Sequence, residues 1–129
     1  IYDDENYFKL IDCCLSRNHY QVCKIINNSS FDKKDSISLI RSLLSRLKRL
    51  IELKKLQGQM VNVKDTINNF KPPIFWKDKE IVEKQVKAWS KKQVLKLLDD
   101  ANNLEINFKK NPNLSNNIVF DLILNTSSN

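Results

Sequence analysis

Residues 36–58, SISLIRSLLSRLKRLIELKKLQG, decide the fold. Ile37, Ile40, Leu43, Leu44, Leu47, Leu50, Ile51, Leu53 and Leu56 recur at the steps of three and four residues that place side chains on one flank of an α-helix, and they form a wide apolar stripe. Asp35 or Ser36 stands where a helix N-cap is needed, and the stripe runs almost to Gly58. The expected helix, about residues 34–58, is the backbone of the fold. Its other face carries Arg41, Arg46, Lys48, Arg49, Lys54 and Lys55. Such a face is ordinarily a solvated surface, and its functional reading is a contact with a partner or with phosphate.

Working toward the N-terminus, Tyr7, Leu10, Ile11, Cys14 and Leu15 sit at helical spacing behind Asp3 and Asp4, acidic residues that suit a helix start. This predicts a helix from about Asp4 to Leu15. Ser16-Arg17-Asn18 makes a short turn, and Tyr20, Cys23 and Ile26 or Ile25 mark a second helix that ends in Asn27-Asn28-Ser29-Ser30. The two form an antiparallel hairpin over about residues 1–30.

Toward the C-terminus, Asn62 precedes an acidic third position, Asp65, and Val63, Ile67 and Phe70 share a face of a short helix. Lys71-Pro72-Pro73 stops it. Two residues without an N–H, the first pushed out of the α region by the second, force residues 72–76 into a loop, and its apolar side chains are expected to find cover. Asp78 is placed to cap a helix with buried rows at Ile81, Val82, Gln85, Val86 and Trp89. Ser90-Lys91-Lys92-Gln93 then reads as a capping box that opens a further helix through Val94, Leu97, Leu98, Ala101, Leu104 and Phe108, with Glu105 and Lys109 as an exposed pair. Asn111-Pro112-Asn113 ends it, closing the middle helices at about 62–110. Asn113 or Ser115 opens a last helix, about 113–125, on Ile118, Val119, Leu122 and Ile123, ahead of a polar tail, Asn125–Asn129, expected to fray. The sum is a single all-α domain, residues 1–129, a helical bundle of about seven helices and no strand. Leu44, Leu47, Ile51, Trp89, Leu97 and Leu98 are its expected core.

Composition agrees. One glycine and three prolines, with 41% hydrophobic and 29% charged residues, suit long helices and leave little for tight hairpins. A chain of 129 residues buries roughly two-thirds of its unfolded surface without a disulfide or metal. The net charge of +7 favours acidic partners such as nucleic acid or an acidic protein face. Three cysteines, two of them adjacent and none in a CxxC pair, indicate neither a disulfide framework nor a zinc site and fit a reducing cytoplasm. No apolar run approaches the roughly 18 residues of a membrane helix, and IYDDENYF lacks a signal peptide's basic and apolar regions. Beginning without methionine in the lead to a helix, the chain reads as the C-terminal piece of a longer protein.

The residues offer little for catalysis. His19, the single histidine, falls at a turn and is expected to have no paired cysteine or serine, which leaves general-base catalysis little to stand on. Asp99 and Asp100 are adjacent and point to different faces. One glycine cannot make a phosphate-cradling loop. Cys13, Cys14 and Cys23 read as small apolar packing residues of the first hairpin. No catalytic residue, metal ligand or cofactor is expected. Trp89 reads as core, its indole N–H reaching a backbone carbonyl, while Trp76 beside Lys77 can stack on a base or a partner.

The order of features is distinctive: a leucine-rich basic helix, a short helix, a Pro-Pro-x-aromatic segment (KPPIFWKDK), a helix closing on Trp-Ser (VKAWS) and a leucine-rich helix ending E-x-x-x-K. This order resembles the C-terminal region of the bacterial DNA polymerase III delta subunit, and the opening hairpin resembles the helix pair that begins that region. The chain departs from the pattern at Ser16-Arg17-Asn18, where a small turn residue and a glycine are expected, and at Asp32–Asp35, which replaces a glycine-containing loop. The resemblance implies a collar domain of the clamp loader, non-catalytic and cytoplasmic, acting in DNA replication. Its expected partners are the delta prime and gamma or tau subunits, with primed DNA met weakly or indirectly. The ATPase-like domain and the sliding-clamp contact would lie upstream, outside these residues. Arg41, Arg46, Arg49, Ile74, Phe75 and Trp76 are the candidate partner interface, as exposed groups of the long helix and the proline loop. The alternative is a stand-alone basic helical module that binds nucleic acid directly.

Overall fold

The computed structural model describes residues 4–128, the side chains of Asp4 and Lys33 excepted. Among them lie seven α-helices and no strand: α1 (Asp4–Leu15), α2 (His19–Asn28), α3 (Lys33–Gln57), α4 (Val63–Asn69), α5 (Lys79–Ala88), α6 (Lys91–Lys110) and α7 (Asn117–Ser128), with a 3-10 turn at Trp76–Asp78 leading into α5. Asp3 and Asn129 lie outside the described residues. The all-α expectation holds, and its first helix has the expected bounds.

The stripe of α3 is the axis. Leu39, Leu47 and Leu53 are fully buried, and Ile40, Leu43, Leu50 and Ile51 nearly so. Helix α6 lies along one side of this stripe and α1 along the other. Helix α1 in turn meets α2, α5 and α7, through Leu10, Ile11, Cys14 and Leu15, each at 0% exposure. Burying such aliphatic side chains contributes about 1.5–3 kcal/mol each, so the α1–α3–α6 stack dominates stability. Leu44, Leu47, Ile51, Trp89 and Leu97 are buried, whereas Leu98 is only half-buried on the flank of α6.

Helix ends follow local chemistry with three corrections. The cap of α3 is Asp32, one turn earlier than expected: its carboxylate accepts from Lys34 N–H, and Asp35 accepts from Asp32 N–H, closing a capping box. Asp35 is the third residue of that box and also receives the Tyr7 hydroxyl, and Ser36, fully buried, donates to Asn116. Asp78 makes no capping bond, because the 3-10 turn, closed by Asp78 N–H to Phe75 C=O at 2.9 Å, already directs the chain into α5. Residues 125–128 of the expected frayed tail are helical instead. Ser115 Oγ accepts from Asn117 N–H, α7 starts there, and it runs to Ser128 with Thr126 and Ser127 buried. The other expected caps stand: Asn62 accepts from Asp65 N–H, and Ser90 and Gln93 exchange bonds at the start of α6.

The departure at Arg17 has a physical account. Arg17 has φ 63°, the left-handed conformation that favours glycine, and it sits one residue past the cap of α1. Asn18 N–H returns to Cys13 C=O at 3.0 Å and Arg17 N–H to Cys14 C=O at 3.1 Å, the paired bonds of a Schellman motif. A non-glycine residue there is strained by about 1 kcal/mol or more. The Arg17 side chain offsets this: it donates to Thr126 C=O at 2.8 Å and lies 3.7 Å over the Trp89 ring. Trp89 Nε1–H donates to Leu15 C=O at 2.8 Å, the backbone carbonyl anticipated for a core indole. One corner thus joins the α1–α2 turn, the α5–α6 junction and the end of α7.

Candidate partner interface

The proline loop is pinned at both ends. Phe70, the C-cap of α4, and Ile74 are buried at 8% and 7% exposure, while Pro72 and Pro73 between them are exposed and the Lys71–Pro72 bond is cis. Ile74 was expected on the surface and is instead the loop's inward anchor, an aliphatic side chain packed in the core between the exposed Pro73 and Phe75. The next two residues turn outward. Phe75 and Trp76 are 57% and 70% exposed, with ring centroids 5.9 Å apart, and Lys77 Nζ lies 5.5 Å over the Trp76 ring. Two large aromatics on a short, anchored loop carry little conformational entropy to lose on binding.

Beneath the loop lies a charge network. Asp12 of α1 is 7% exposed. Its carboxylate accepts from Arg46 Nε at 3.0 Å and Nη2 at 3.3 Å, and from Gln85 Nε2 at 3.0 Å. Gln85 also donates to the Asp12 backbone carbonyl at 3.2 Å. Arg49 Nη2 is 3.8 Å from the same carboxylate, and this buried nitrogen makes no hydrogen bond. Burial and the neighbouring Arg46 push the Arg49 guanidinium below its ordinary pKa, with Asp12 and Asp78 acting the other way. Two guanidiniums share the Asp12 carboxylate with Asp78 nearby, and the depression above them is also lined by Lys48, Lys71 and Glu52, so its net charge stays positive. Arg46 and Arg49, expected as exposed interface groups, are therefore turned inward, and Arg46 covers the Phe8 ring at 3.9 Å.

Two depressions meet at this point. One, of about 530 Å³, runs between α3 and the proline loop and is lined by Arg46, Arg49, Phe70, Ile74, Phe75 and Asp78, among others. The other, of about 840 Å³, lies between α1 and the 3-10 turn and is lined by Phe8, Asp12, Arg46, Phe75, Lys77 and Asp78, among others. Arg46, Phe75 and Asp78 line both. The sequence of the chain matches, over residues 4–126, the family described as DNA polymerase III delta subunit, C-terminal domain. The chain belongs to that family. No curated protein and no solved structure matches it.

Membership in the delta C-terminal family gives the chain a clamp-loader role in DNA replication, and the family's delta subunit is a non-catalytic component of that machine. In this family member the structure brings Arg46, Arg49, Ile74 and Phe75 around one depression, with Trp76 beside it. Arg41 is apart: exposed on α3, it points across to Glu105 of α6 at 3.6 Å. The basic face is thus divided. Arg41, Lys48 and Lys55 are solvated, whereas Arg46 and Arg49 turn to Asp12, and Lys54 donates to Val86 C=O at 3.0 Å.

Sequence reasoning missed Asp12, Phe8 and Lys77 as parts of this site. A signal for Asp12 existed: a carboxylate set between Ile11 and Cys13-Cys14 in an apolar helix needs a buried partner. Among the described residues no group of three or more His, Cys, Asp and Glu side chains could hold a metal ion, and no helix is long and apolar enough to cross a membrane.

Proposed function

We propose that this chain is the collar domain through which a clamp-loader delta subunit assembles with its delta prime and gamma or tau neighbours in the cytoplasm. The carrying observation is the pairing of Phe75 and Trp76, exposed side by side on an anchored loop, with a depression whose lining includes the exposed Lys48 and Lys71. Aromatic side chains on a rigid platform supply the apolar centre of a protein interface, and the charge favours an acidic residue on the facing subunit. The chain itself is non-catalytic in this reading. Its effect is to hold attached domains near the clamp and primed DNA at high effective concentration.

The alternative, direct nucleic-acid binding, has less support. Arg46 and Arg49 are engaged with Asp12, and Lys34, Lys48 and Lys55, exposed on α3, are too widely spaced for a dense phosphate-binding row. Sedimentation of the chain alone, then with delta prime and gamma or tau collar domains, tests the proposal. A defined hetero-complex is expected, weakened at least about tenfold by Phe75→Ala with Trp76→Ala, as for truncated interface anchors. A chain that stays monomeric with every subunit and instead shifts on primed DNA overturns it.

A further inference from the structure

Away from the proline loop, the seam between α2 and the last turn of α7 aligns a thiol, an imidazole and a hydroxyl. Cys23 Sγ is 3.3 Å from His19 Nε2, one turn earlier on α2. His19 Nδ1 is 2.8 Å from Ser127 Oγ, and the Ser127 hydroxyl is 2.9 Å from Leu124 C=O. The direction of this relay follows from its far end. A carbonyl oxygen only accepts, so Ser127 gives its one proton to Leu124 and accepts from His19 Nδ1–H. That fixes the imidazole tautomer with Nε2 bare and facing the Cys23 thiol, whose proton it accepts. Nucleophile, base and orienting group stand in the order by which thiols are activated.

Exposure favours the same residue. His19 is exposed and Cys23 partly so, while Ser127, at 2% exposure, is a fixed support for the ring. The other two thiols are disfavoured. Cys14 is fully buried and donates to Ile123 C=O, and burial pushes its pKa up to about 12. Burial, then the negative charge of Asp12, push the Cys13 thiol up.

We propose that Cys23 is the reactive thiol of this chain, a modification site for low-molecular-weight disulfides, with His19 as the base that takes its proton. In the step, the Cys23 proton passes to His19 Nε2 and the thiolate attacks one sulfur of the disulfide. A new Sγ–S bond forms as the reagent's S–S bond breaks, and the departing thiolate takes the proton from His19. Cys23 is oxidised, the departing thiol is reduced, and nothing else is consumed.

The test treats the native full chain with glutathione disulfide and, separately, with the chromogenic reagent dithiobis(nitrobenzoate). The adduct is located by peptide mass spectrometry. Cys23 is expected to react at least about tenfold faster than Cys13, with the fast phase lost in Cys23→Ser and slowed about tenfold in His19→Gln. Nitrogen-15 chemical shifts are expected to show the proton of the uncharged His19 ring on Nδ1. Preferential modification of Cys13, an unchanged rate in a folded His19→Gln variant, or an Nε2–H tautomer overturns the proposal. The thiol competition and the tautomer are read on the unmodified sequence, so they decide the matter even where a variant fails to fold.

Discussion

Replacing Asp12 with alanine strips the carboxylate that Arg46 and Arg49 share and one of the two acceptors that hold Gln85. The side chains of Asp12, Arg46 and Arg49 are 11%, 17% and 18% exposed, so water reaches the edge of the network but does not dissolve it. Removing one partner from a buried ion pair costs about 3–5 kcal/mol, because the other charge is left unpaired. Gln85 keeps the backbone carbonyl of residue 12 as an acceptor, so its share is below about 1 kcal/mol, and screening at the rim returns part of the total, for a net loss of about 3 kcal/mol. At this chain length that lowers Tm by about 10–15 °C. Asp12→Asn keeps the shape and an acceptor for Gln85 but removes the charge, and should lose about 2 kcal/mol. Urea unfolding followed by far-ultraviolet circular dichroism, with an unchanged dependence on denaturant, measures both. A loss below about 1 kcal/mol in each, the value of an exposed pair, would refute the claim that this network is desolvated.

Other outcomes follow from the same geometry. Arg49→Met should be close to neutral, within about 1 kcal/mol, since it removes a charge that burial and Arg46 already disfavour and fills the same space with an apolar side chain; a large loss in urea unfolding would mean that Arg49 is a principal partner of Asp12. Trp89→Ala should cost about 3–5 kcal/mol, whereas Trp76→Ala should change stability by less than about 0.5 kcal/mol, so unfolding by Trp76→Ala would place that ring in the core. Burial raises the Cys14 thiol from 9.0 to about 12. Between those values the unfolded chain has released a proton that the fold retains, so stability should fall with rising pH, by up to about 1.4 kcal/mol per pH unit. Cys14→Ala should show a shallower alkaline slope, and an identical slope would contradict a sealed thiol.

What the sequence disclosed was whatever depends on near neighbours. The stripe of α3, the capping boxes and the stop at Pro72-Pro73 are written within a few residues of where they act, and Trp89 between an apolar face and a cap reads as core for the same reason. Asp32 and Asp35 are equally good caps by composition, and the choice between them is made partly by Tyr7, 28 residues earlier, whose hydroxyl engages Asp35. The last turn reads as a polar tail because Thr126 and Ser127 are hydrophilic, yet their partners, Arg17 and His19, lie across the whole chain. Arg46 and Arg49 share a helix face with solvated lysines, and local spacing gives no sign of the carboxylate 34 residues upstream of Arg46. Ile74 and Phe75 are adjacent and equally apolar, so which one turns inward is decided by the path between the prolines and the 3-10 turn.

The Arg17 corner has a mechanical consequence. A helical hairpin at the edge of a bundle ordinarily swings about its turn, but here the turn is clamped from two sides, by the Trp89 ring and the Thr126 carbonyl. A load entering α1 has no hinge to bend there. It passes sideways through Asp12 and Arg46 into α3, whose 25 residues extend along the bundle, so α1 cannot shear past α3 without breaking that bond.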